Sequence, residues 1–142
     1  MTKNPEETVA AAPVDLADLN PAVHAAKPFR YEIKHPVTMA GTGQYVWLMG
    51  DDAPAVRQYM RDEADAEMAR EAHGKEDAQT VAMGERRAIT KLCVATVKWE
   101  NVFFNGKAAD FTVPAAQELY KQEWIRAQLL KAMGKLENFM SA

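Results

Sequence analysis

Two short runs in this sequence have the alternation of half-buried β-strands, and nearly everything after them has helical spacing. Phe29, Tyr31 and Ile33 alternate with Arg30, Glu32 and Lys34. After Pro36 and a Gly41-Thr42-Gly43 turn, the run Tyr45-Val46-Trp47-Leu48-Met49 ends at Gly50. An isolated two-stranded hairpin is only marginally stable in water. A β-hairpin over residues 29–49 must therefore lie on helices or pair with another chain. That requirement sets the expected class as α+β, mainly α. It is a small helical domain of about four helices with an N-terminal β-hairpin, spanning residues 28–142.

Residues 1–27 are expected to form a flexible, disordered N-terminal tail. They carry Pro5, Pro13 and Pro21, many alanines and no aromatic residue, so they bury too little to offset their ordering entropy. Within them Asp15 suits the cap of a short turn bearing Leu16 and Leu19, which Pro21 would stop.

Beyond the hairpin, Asp51-Asp52-Ala53-Pro54 has the acidic residues and proline of a helix start. Val56, Met60, Ala64, Met68 and Ala72 then recur every four residues, while Arg57, Arg61, Asp62, Glu63, Asp65, Glu67 and Arg70 fill the remaining faces. His73-Gly74 closes that helix. A second helix is expected over Asp77–Val97, with Ile89, Leu92, Cys93 and Thr96 buried and Val81 and Ala88 extending the stripe. Asn105-Gly106 is a turn signal, and Val102 to Phe104 before it is expected as a very short strand or an extended loop packed by its aromatics. A third helix starts near Thr112 or Val113 with Pro114 in its first turn and turns Leu119 and Tyr120 inward. The last helix carries Trp124, Ile125, Leu129, Ala132, Met133, Leu136, Phe139 and Met140, and Gly134 kinks or divides it.

The composition excludes several function classes. The formal net charge is −3, which gives no electrostatic reason to seek nucleic acid, and there is no basic amphipathic face for a membrane surface. No apolar run approaches the roughly 20 residues of a membrane span. Cys93 is the one cysteine, so no disulfide forms within the chain, and its Leu-Cys-Val context suits a small buried hydrophobe in a reducing cytoplasm. His24, His35 and His73 are not spaced with Cys93 or with carboxylates as metal ligands. No acid, base and nucleophile assemble, so the expectation is no enzyme activity, no catalytic residue, no cofactor and no metal. The remaining chemistry is hydrophobic. Methionine is the residue of adaptable binding surfaces, so Val56, Met60 and Met68 on one helix, with Met133, Phe139 and Met140 at the end, are the candidate partner-binding residues.

Several short motifs bear on that reading. Trp99-Glu100-Asn101-Val102, Asn105-Gly106-Lys107, Phe111-Thr112, Leu119-Tyr120, Trp124-Ile125, Gln128 and Asn138-Phe139, with His35-Pro36-Val37-Thr38, Gly50-Asp51-Asp52 and Arg57 before them, resemble the tail assembly chaperones of long-tailed phages and prophages. The Gly-Glu expected after His-Pro-Val-Thr is missing here. The resemblance implies a non-enzymatic protein of the host cytoplasm that keeps the helical tape measure protein soluble during tail assembly, with the tail tube protein or a second copy as further partners. It also implies two product lengths through ribosomal frameshifting, for which Met133-Gly134-Lys135 offers a slippery codon run if Gly134 is encoded GGA. The alternative is a structural virion component such as a tail tube, terminator or connector protein, assembling through Tyr45–Met49 as an edge strand.

Overall fold

In the computed structural model, which describes residues 12–72 and 81–140, the chain is mainly helical with a small antiparallel sheet near its N-terminus. Residues 1–11 of the expected tail and His73-Gly74 lie outside the described residues. The part of that tail from Asp15 onward is ordered structure. Asp15 caps a 3-10 turn at Leu16–Leu19. The turn ends before Pro21, as expected, and Pro21 then opens a second element, α1 (Pro21–Ala25), where the Ala22 N–H is met by the Asn20 side chain. Ala25 is buried, and its carbonyl accepts from Gly50 N–H at 2.9 Å. This short helix is therefore tied to the body.

The hairpin forms from β1 (Phe29–Lys34) and β2 (Gly41–Leu48), antiparallel with Phe29 opposite Leu48 and Glu32 opposite Tyr45. The turn is not at Gly41–Gly43, which belongs to β2. It runs over His35–Ala40, where His35 Nδ1 accepts from the N–H groups of Val37 and Thr38, both at 3.1 Å, and Met39 takes φ 60°. Gly41 lies against the Glu32 carboxylate, and Gly43, at φ 75°, donates its N–H to that carboxylate.

The hairpin is not alone. A third strand, β3 (Thr96–Glu100), pairs with β2 and completes the order β1-β2-β3. Tyr45–Met49 thus falls in and just after the central strand. The need for a partner is met within the chain.

Helix α2 (Pro54–Ala72) runs antiparallel beside α3 (Val81–Ala95), and α3 passes into β3 with no residue between Ala95 and Thr96. The second helix therefore ends two residues before the expected Val97. Val81 is 81% exposed and does not extend the buried stripe, which is made by Leu92 and Ala95. Two-residue strands β4 (Phe103–Phe104) and β5 (Lys107–Ala108) meet at the Asn105-Gly106 turn, where both residues have positive φ as a primed turn requires. Helix α4 (Val113–Tyr120) is capped by Thr112, and α5 (Glu123–Met133) ends at Gly134 before a 3-10 turn at Leu136–Asn138.

One face of the sheet packs on the helices. Val46, Leu48, Val56, Leu92, Tyr120, Leu129 and Met133 are fully buried between them. Each side chain of this size contributes about 1.5–3 kcal/mol when removed from water. Arg126, 8% exposed, is satisfied by carbonyls: it donates to Tyr120 O at 2.9 Å and so holds the end of α4.

Candidate interaction surface

Among the described residues no group of three or more His, Cys, Asp and Glu is arranged to hold a metal ion. No described helix is long and apolar enough to cross a membrane. Cys93 is half-buried on α3, and burial pushes its thiol above the usual range, which keeps it in the weakly nucleophilic protonated form. His35 is occupied as the cap of the hairpin loop.

The surface best suited to a partner lies on the α2–α3 pair. Val56 anchors α2 in the core, but beyond it the face turned toward α3 is polar. Tyr59 donates to the carbonyl of Arg87 at 3.4 Å, and Arg87 reaches Glu63 at 3.2 Å and Glu67 at 3.5 Å. Burial, with Glu63 adding to it, pushes the Tyr59 hydroxyl pKa up. These acidic residues, expected on a solvated face, are drawn against α3 by a partly buried guanidinium. Four residues at 100° per residue advance by 400°, so a strict four-residue stripe drifts about 40° per step around an α-helix. The stripe from Val56 therefore leaves the core as it proceeds. Met60 is 42% exposed and Met68 67% exposed.

That drift leaves a groove of about 400 Å³ whose apolar lining is Met60, Ala64, Ala88 and Leu130 and whose remaining lining is Tyr59, Glu63, Glu67, Arg87 and Lys91.

The other candidate residues fall elsewhere. Val56 is fully buried and Met133 is 2% exposed, so both are core and neither offers a binding surface. Both were expected at the surface because helical spacing marks an apolar stripe without saying whether a sheet covers it. Phe139 is half-buried, edge-on to Phe29 at 5.3 Å and against Gly50, where it closes the open end of the hairpin, and Met140 is half-buried. Ala88 was expected to extend the buried stripe and Leu130 went unnoticed in the sequence, since an alanine and a leucine on helical stripes carry no signal of exposure.

Comparison of the chain with protein-family models, with curated proteins and with solved structures finds no match.

Proposed function

We propose that this protein is a phage tail assembly chaperone, non-enzymatic and acting in the bacterial cytoplasm, which binds the tape measure protein and keeps it soluble while the tail assembles. The observation that supports this best is the groove on α2 and α3, where exposed Met60 and Ala64 face Ala88 and Leu130. Its occupant is an amphipathic helix of the client, and several copies along one client add avidity. The tail tube protein and a second copy of this chain are its further partners. The motifs around Trp99–Val102 and Trp124–Gln128 carry the resemblance, and their side chains mostly build the fold: Val102 and Ile125 are buried, and Trp99 donates to Ala109 O at 2.8 Å.

The alternative of a tube, terminator or connector protein rested on Tyr45–Met49 as an assembly edge. That run is flanked by β1 and β3, which removes its support.

Co-expression with the tape measure protein tests the proposal. The client stays soluble and co-purifies with the wild-type chain. A Met60→Glu/Ala64→Glu variant, altered only at exposed positions, folds but leaves the client aggregated. If the client is insoluble with the wild-type chain, or equally soluble with the variant, the proposal fails.

A further inference from the structure

Strand β1 is an edge of the sheet, and its free side faces a second groove, of about 440 Å³, running between β1 and the end of α5. Tyr31 from β1 and Lys131, Ala132 and Lys135 from α5 and the residues just after it are among its lining. Gln128 closes one end, in an instructive way. Its amide accepts from Lys34 N–H at 2.8 Å and donates to Lys34 C=O at 3.2 Å, as a neighbouring strand would. Lys34 therefore directs both peptide groups away from β2. Since these groups alternate along a strand, Glu32 and Arg30 direct theirs the same way, into the groove. The extra residues that shift the register between Glu32 and Lys34 lie on β2, so β1 keeps its alternation.

The charge around this edge runs against that of the whole chain. The chain carries a formal −3, yet the groove is lined by Arg30, Lys34, Lys131 and Lys135, with Glu32 the only acid. Glu32 is already engaged, accepting from Lys34 Nζ and Gly43 N–H at 3.1 Å each, which holds its carboxyl below the usual range, and Arg30 lies 3.8 Å from Glu100, so among the described residues the cations of the groove left without an acidic partner are Lys131 and Lys135. We infer that the β1 edge is a docking site for an acidic peptide segment in extended form, added as a fourth strand. Alternate side chains of that segment point to opposite faces. The acidic set meets Lys131 and Lys135, and the other set lies on the open face of the sheet beside Arg30 and Lys34. A second copy of this chain fits poorly. Antiparallel pairing of two β1 edges sets both α5 helices on the same face of the joined sheet and brings the two pairs of Lys131 and Lys135 together. This site takes a strand, so it is distinct from the helix-binding groove on α2 and α3.

The probe is a short fluorescein-labelled peptide of alternating Glu and Thr, followed by anisotropy, with an alternating Lys and Thr peptide and the N-methylated Glu-Thr peptide as controls. The wild-type chain binds the acidic probe at least about tenfold tighter than either control. Lys131→Glu/Lys135→Glu, at two exposed positions, weakens binding about tenfold with an unchanged melting temperature, and binding protects the amides of residues 29–34 from exchange. Absence of acidic-probe binding overturns the inference. Equal binding of the N-methylated probe overturns strand addition, and equal binding by the double variant overturns the location.

Discussion

The hydroxyls of Thr96 and Tyr120 lie 2.6 Å apart in the core, and Thr96 Oγ1 also donates to Leu92 O at 2.6 Å. Since the threonine proton goes to Leu92, the tyrosine donates to the threonine. A chain of two hydrogen bonds thus ties α4 to the point where α3 becomes β3. The two ends of this chain are not equivalent. Tyr120→Phe removes a donor and leaves Thr96 bonded, a loss of about 1 kcal/mol, whereas Thr96→Val strands a buried phenol and costs about 1–3 kcal/mol. Urea unfolding of the two variants checks the order, and a larger loss for Tyr120→Phe contradicts the assigned direction.

The same tyrosine makes the fold sensitive to alkali. Burial pushes the Tyr120 hydroxyl well above its ordinary value of 10.0, and burial also raises Tyr31 and Tyr59. Above pH 10 the unfolded chain loses these protons while the folded chain keeps them, so stability is full below that value and falls as pH rises. Unfolding free energies measured from pH 8 to 11 should decline above about pH 10, with a shallower slope in Tyr120→Phe.

Gln128 links α5 to the β1 edge through Tyr31 Oη at 3.0 Å and both peptide groups of Lys34. Gln128→Glu keeps the acceptor but sets a carboxylate against the carbonyls of Lys34 and Trp124. The expected loss is about 1–3 kcal/mol at neutral pH. It is partly recovered below about pH 4, where the acid is protonated and donates again. Thermal melts across that range decide it, and a pH-independent loss speaks against the contact.

Gly50 has no room for a side chain. An added Cβ would lie 2.9 Å from the Phe139 ring and 3.1 Å from the Ala25 Cβ. Gly50→Ala should cost about 1–3 kcal/mol by overpacking and loosen both chain ends at once. Hydrogen exchange at Ala25 and Phe139 reports this. Unchanged protection at both removes the explanation.

Much of this fold was legible in the sequence because its signals are local. The alternation of Phe29–Lys34, the Thr112 cap with Pro114 behind it, and the Asn105-Gly106 turn each appear where their residue types require. Strand β3 was hidden because Thr96 continues the helical spacing of Ile89, Leu92 and Cys93, and no glycine or proline marks the change at Ala95. The polar face of α2 was hidden for another reason. Glu63 and Glu67 read as solvated until Arg87, some 20 residues away, is known to lie against them. The basic edge groove needs β1 and α5 together, and no local pattern relates them.

The direct passage of α3 into β3 has a mechanical consequence. A loop between two elements absorbs rotation, and none stands between Ala95 and Thr96. The helix behaves as a lever arm whose fulcrum is the sheet. Under the proposed function, a client helix pressing on Ala88, the α3 residue of the groove that carries no charge, tilts α3, and the tilt passes into β3 and then β2, with the register slip at Val97 as the first place able to give.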